Sequence, residues 1–170
     1  MKNFFLLLLT AFLFLGCSSK NLPLETVNKV DIQKYLGTWY EIARFEHRFE
    51  EGCKNVTANY SLKQNGDIKV VNSCTQIKTG EKTQATGVAY ATDETNSKLK
   101  VSFFRPFYGD YWVLMLDEDY KYALVGSPNR EYLWILSRTK TISKETKNKI
   151  LAKLPALKFD ASKFIWTIQD

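Results

Sequence analysis

The chain of 170 residues has a single histidine, His47. Chemistry that rests on clustered imidazoles is thereby excluded, and with it most metal and nucleophilic centres. His47 stands among Glu46, Arg48 and Glu50, where a solvated loop side chain is the plain reading. The eight glycines never gather into a loop that could cradle phosphate, and strands do not alternate with helices as in a nucleotide-binding fold. The 24 Lys and Arg exceed the 18 Asp and Glu but form no basic run. Nucleic acid is therefore a poor partner, and a mild attraction to anionic lipid head groups a better one. No apolar run approaches the roughly 20 residues of a membrane-spanning helix. These gaps leave no catalytic residue, no metal and no cofactor to name.

The longest apolar run, Phe4 to Leu15, follows Lys2 and Asn3 and suits the core of a secretory signal. It leads into Phe14-Leu15-Gly16-Cys17-Ser18-Ser19. A small residue and then Cys directly after the apolar core resembles a bacterial lipoprotein processing site. The resemblance implies a cleaved signal peptide over 1–16, an acylated Cys17 as the new N-terminus, a tether over 17–30 and a folded domain over 31–170. Ser18 in place of Asp implies the outer membrane, with the domain facing the periplasm. Phe14 and Leu15 depart from the usual residues before the Cys, and the alternative is an ordinary signal peptide. Acylation carries weight because each buried methylene contributes about 0.8 kcal/mol, so several chains hold a protein on a bilayer where one does not. Losing the signal leaves ample length for one domain with its own core.

The two other cysteines, Cys53 and Cys74, flank a hairpin that turns at Lys63-Gln64-Asn65-Gly66-Asp67. An even pair in an exported chain favours a Cys53–Cys74 disulfide, with a free pair as the alternative. Alternation and turn residues predict strands near 38–46, 55–62, 67–74, 84–92, 98–104, 111–117, 121–126 and 132–138. Eight short strands at this spacing argue for an all-β barrel or sandwich. One helix follows from about Ser143 to Leu154, with Ser143 as its cap, Glu145 at the positive end of its dipole and Pro155 as its stop. Lys163 to Ile168 reads as a short final strand.

Three short motifs occur in order along this pattern. Gly37-Thr38-Trp39-Tyr40-Glu41-Ile42-Ala43-Arg44-Phe45 opens the first strand, Asp119-Tyr120 sits between the sixth and seventh, and Arg138 closes the eighth. With the helix and final strand, they resemble the lipocalins. Gly37–Phe49, Lys100–Gly109, Asp119–Thr141 and Phe159–Trp166 resemble the bacterial outer-membrane subgroup. The resemblance implies an eight-stranded antiparallel up-and-down barrel with one C-terminal helix packed outside and a short final strand. It implies that Gly37, Trp39 and Arg138 mark the barrel base, with Arg138 over the Trp39 ring in a cation–π contact of about 0.5–2 kcal/mol.

An eight-stranded barrel can enclose one small ligand. With Trp39 inward, alternation places Glu41, Ala43 and Phe45 beside it; Val56, Ala58, Tyr60 and Leu62 in the second strand; Val88 and Tyr90 in the fourth; Leu99, Val101 and Phe103 in the fifth; and Tyr132, Trp134 and Leu136 in the eighth. Tyr60, Tyr90, Phe103, Tyr132 and Trp134 are the expected cavity residues, although a packed core would show the same pattern. Glu41 faces inward with no evident partner. The resemblance implies a mouth at loops 46–54, 75–83, 105–110 and 127–131. Its aromatic rim, Phe104, Phe107 and Tyr108, would touch membrane lipid or a second copy in a homodimer, or merely shield the loop. The resemblance implies a membrane-anchored carrier of fatty acids or lysophospholipids rather than an enzyme. About ten buried methylenes yield roughly 8 kcal/mol before binding costs. A structural lipoprotein with a filled core, a lipocalin-fold enzyme, and a haem carrier with His47 as ligand are the other readings.

Overall fold

The structure, a computed structural model, describes residues 23–170. The signal over 1–16, the anchor Cys17 and the first part of the tether lie outside the described residues. The strands are β1 Gly37–Phe45, β2 Cys53–Leu62, β3 Ile68–Gln76, β4 Lys82–Ala91, β5 Lys98–Phe104, β6 Phe107–Leu116, β7 Tyr122–Gly126, β8 Leu133–Ser137 and β9 Phe164–Trp166. Two α-helices join them, α1 Ile32–Tyr35 and α2 Lys144–Leu157. Each strand from β1 to β8 pairs antiparallel with the next, and β1 also pairs with β8, so the sheet closes into the expected eight-stranded barrel.

Apolar side chains bury on two sides of this wall. Trp39, Tyr60, Val70, Leu99 and Val113 belong to the interior cluster. Ile42, Leu133 and Ile135 belong to an outer layer, where they meet Ile150, Leu154 and Leu157 of α2. Complete burial of each helix residue contributes on the order of 1.5–3 kcal/mol, which holds α2 against the barrel. Ser143 caps α2 by accepting a hydrogen bond from the Thr146 amide at 3.0 Å. The helix does not stop at Pro155 as expected. It continues to Leu157 and ends at Lys158, whose backbone is left-handed at φ 59°. The proline sits in the last turn, where its missing N–H costs one bond, and the burial of Leu157 beyond it offsets that loss.

The lead-in is more structured than a tether. Leu24 and Val30 are buried, and the amides of Val27 and Val30 donate to the carbonyls of Val113 and Thr95 at 2.9 and 2.8 Å. The folded unit thus begins before residue 31. Asp31 then caps α1 through Gln33 N at 2.9 Å.

Two expected faces are corrected. In β1 the register runs Glu41 to Leu136 and then Ala43 to Ile135, so Ile42 is an extra residue in a β-bulge. A bulge reverses side-chain parity beyond it. Ala43 and Phe45 therefore leave the face of Trp39 and Glu41 and join the layer under α2. In β4 the inner face holds Ala89, opposite Val101, rather than Val88 and Tyr90. Tyr90 stands outside, 41% exposed, with its ring edge-on to Tyr108 at 5.5 Å. Gly87, two residues before Ala89, has no room for a side chain. A Cβ on Gly87 would lie 2.7 Å from the Ser102 carbonyl and 2.9 Å from the Phe103 ring. Leu62, at the end of β2, is exposed as well.

The β5–β6 connection is also shorter than the loop 105–110 that was expected. Phe104 pairs with Phe107, leaving Arg105-Pro106 as the turn and carrying Phe107 and Tyr108 into a strand.

Candidate ligand cavity

The closed end is built from the first-strand motif. Gly37 has φ 90°, a left-handed value that suits glycine. Trp39 is fully buried, and its indole N–H donates to the Tyr35 carbonyl at 2.8 Å. The Arg138 guanidinium lies 3.9 Å from the Trp39 ring centroid. Its N–H groups donate to the carbonyls of Thr38, Lys34 and Tyr120 at 2.9, 2.8 and 3.3 Å. One side chain thereby ties β1, the α1 end and the β6–β7 turn into a floor.

Above this floor lies a cavity walled by apolar side chains such as Val56, Ile68, Val70, Val101 and Leu136. About 100 Å³ is open at its centre, where a single water needs roughly 10–15 Å³ on the same measure. Toward the floor, the Tyr111 hydroxyl is 2.8 Å from that of Tyr35 and 2.9 Å from that of Tyr60. Burial pushes the Tyr60 pKa up to about 12 and raises Tyr35 and Tyr111 well above their ordinary value. All three phenols stay neutral and present a polar spot without charge.

The wall formed by β1 and the turn after it is charged. Glu41, 2% exposed, accepts a hydrogen bond from Arg44 Nη1 at 2.8 Å and another from the Thr167 hydroxyl. Arg44 also donates to the Glu50 carbonyl at 2.6 Å. His47 Nε2 lies 3.3 Å from Glu50 Oε2. Burial, followed by the nearby Glu50 carboxylate, pushes the Glu41 pKa up to about 8. Burial alone would raise Glu50 too, but its interactions with His47, Glu41 and Arg44 outweigh it and hold its pKa below the usual value. Glu41 therefore has partners that the sequence did not suggest. His47 is no solvated loop side chain: 7% of it is exposed, because the turn Arg48–Glu50 folds it against Trp134 at 5.4 Å.

Of the residues expected to line the cavity, Tyr60, Phe103 and Trp134 do so. Tyr132 stacks on Trp134 at 5.7 Å with their rings 6° apart, beside the lining rather than in it. Tyr90 lies on the outer surface. Tyr35, Tyr111, Glu50 and Asn72 line the cavity without having been expected there. Tyr111 sits in an unbroken apolar run whose parity alternation cannot assign, and Tyr35 and Glu50 come from a short helix and a turn. Cys53 and Cys74 are bonded, with their Cα atoms 5.6 Å apart, and clamp the β2–β3 hairpin at the mouth. Among the described residues no cluster of three His, Cys, Asp or Glu side chains could hold a metal ion.

Comparison with known proteins agrees with this architecture. The family described as "Lipocalin-like domain" matches residues 30–169. The chain is 52% identical over 162 residues to the outer membrane lipoprotein Blc of Escherichia coli K12, covering 94% of this chain and 92% of that protein. It is 41% identical over 166 residues to the protein of the same name from Vibrio cholerae, covering 96% and 97%. Among solved structures, insecticyanin from the tobacco hornworm Manduca sexta superposes with a TM-score of 0.68 at 25% identity, covering 85% of this chain and 83% of that one.

Proposed function

This chain belongs to the lipocalin family, and from that premise we propose that it is a lipid-anchored lipoprotein of the bacterial outer membrane that binds single-chain lipids. It is a binding protein and not an enzyme. The observation that carries the reading is a barrel sealed at one end by Arg138 and Trp39 and open inside, with apolar walls. Burial of methylenes against such walls supplies the affinity, roughly 8 kcal/mol for ten of them before binding costs. A purely structural lipoprotein with a filled core has no use for that space.

The anchor is Cys17, acylated after removal of residues 1–16, and the barrel faces the periplasm. Fatty acids and lysophospholipids are the ligand classes that fit one apolar slot. The exposed rings of Phe104 and Phe107, stacked 7° from parallel, support contact with membrane lipid or with a second copy of the chain.

Native mass spectrometry of protein extracted from its own membranes tests the carrier reading. A copurifying fatty acid or lysophospholipid at one per barrel is expected. A barrel that is always empty and also rejects added lipid would remove the proposal. Sedimentation of the same sample decides whether the rim pairs two copies.

A further inference from the structure

Tyr35, Tyr60 and Tyr111 reach the cavity from three elements, α1, β2 and β6. Tyr60 stands opposite Gly37 in the sheet, and the Tyr35 ring lies 4.8 Å from that of Trp39. The trio therefore sits on the sealed floor, at the far end from the Cys53–Cys74 clamp. Each phenol carries one hydrogen, and the Tyr111 hydroxyl meets those of Tyr35 and Tyr60 at 2.8 and 2.9 Å. Two hydrogen bonds use two of the three hydrogens, whichever way each bond is directed. One O–H is left over. The Trp39 indole cannot take it, since its N–H donates to the Tyr35 carbonyl, and Arg138 has only donors. Among the described residues no other group bonds to these three hydroxyls.

A buried donor without an acceptor is costly, and phenylalanine at the same three positions would fill the space without that cost. A methyl chain end on this floor leaves the donor unmatched. A hydroxyl on the chain end accepts from it and can donate in turn to a lone pair that the trio keeps free. Burying a carboxylate there costs far more than burying a hydroxyl. The Arg138 guanidinium near the floor is already engaged with the Trp39 ring and three backbone carbonyls. We propose that Tyr35, Tyr60 and Tyr111 form a polar subsite at the closed end for a neutral oxygen carried on the far end of an acyl chain. The ligand class is then a chain hydroxylated at the end remote from its head group. Val70, Val101 and Leu136 hold the methylenes above it. The proposal rests on the carrier reading and adds to it a selection by chain end, whatever the head.

The test is titration of the lipid-free protein with lysophosphatidylcholines below their micellar concentrations, because their bulky charged head must stay at the mouth. Decanoyl, dodecanoyl, tetradecanoyl and hexadecanoyl chains are compared, each plain, hydroxylated at the terminal carbon, or hydroxylated at mid-chain. At the length that spans mouth to floor, the terminal hydroxyl should bind at least as tightly as the plain chain. The mid-chain isomer, with its hydroxyl against the apolar walls, should bind at least about tenfold weaker, the scale of a hydroxyl buried without a partner. The combined Tyr35→Phe, Tyr60→Phe and Tyr111→Phe variant should keep the plain chain and bind the terminal hydroxyl at least about tenfold weaker. A terminal hydroxyl penalised as heavily as the mid-chain one at every length overturns the subsite, while binding of the plain chains preserves the carrier reading. Binding of none of these lipids overturns both. The two isomers compared in the unmodified protein decide the matter even if the combined variant does not fold.

Discussion

At Arg138 a guanidinium both covers an indole and donates to three backbone carbonyls. Each of these carbonyls would otherwise turn to water at the barrel floor, so the residue acts as a rivet between segments far apart in sequence. Arg138→Ala should lower stability by about 2–3 kcal/mol, combining the ring contact with bonds from a charged donor. Urea unfolding measures it, and a loss below about 0.5 kcal/mol would show that the floor closes without this side chain. Glu41 makes a prediction of a different kind. Its pKa rises from 4.5 unfolded to about 8 in the folded barrel. A raised folded value means that the native state holds the proton more tightly, so its contribution is present below pH 4.5 and is lost as pH climbs toward 8. Glu41→Gln removes that titration. Its stability should therefore be flatter than that of the parent between these two pH values, and an unchanged slope would show that Glu41 does not carry it.

Strands decide which side chains a ligand can meet. The bulge at Ile42 lets β1 serve two layers: Trp39 and Glu41 line the barrel, while Ala43 and Phe45 pack under α2. It also leaves room for the C-terminus. β2 pairs with β1 only over Gly37–Tyr40, and β9 takes over the same edge at Ala43–Phe45. Gln169 then donates to the carbonyls of Glu41 and Val56, at 2.9 and 2.8 Å, and bridges the seam between β1 and β2. Strand parity gives a paired prediction. Trp134→Ala should weaken binding of a single-chain lipid by roughly tenfold or more, given the size of the buried aromatic, while Tyr90→Ala on the outer face should leave affinity unchanged. Fluorescent-lipid displacement reads both. Equal effects would mean that the assigned faces do not govern binding.

For the whole molecule, the question is how the barrel is kept where its ligand occurs. No helix among the described residues is long and apolar enough to cross a membrane; the attachment we propose is through acyl chains on Cys17. Cys17→Ala should move the protein from the membrane fraction to the soluble periplasmic fraction with its lipid affinity intact. Continued sedimentation with membranes would mean that another surface, such as the rim at Phe104 and Phe107, holds it there.

Much of this architecture was legible in the order of residues because its signals are local. Strand alternation, the Asn65-Gly66 turn and the Ser143 cap each depend on neighbours a few positions away. The motifs at Gly37, Trp39 and Arg138 named the floor before any contact was visible. Alternation also put Tyr60, Phe103 and Trp134 on the cavity side, where the structure has them. The misplacements share one cause. Tyr90 faces out because the pairing of β4 with β5 sets Ala89 opposite Val101 on the inner face and Tyr90 opposite Lys100, and Phe45 faces out because one extra residue at Ile42 reverses the count. Neither fact is carried by the segment itself. The sequence by itself determined a run of short strands and one helix, because periodicity and short motifs act over a few residues. The barrel, its sealed base and the anchor signal came from its resemblance to lipocalins and bacterial lipoproteins. Only the tertiary structure decided which side chains share the cavity, where Glu41, Glu50, Asn72 and Trp134 arrive from four separate segments. Burial, which raises the pKa of Glu41, exists only once those segments have packed.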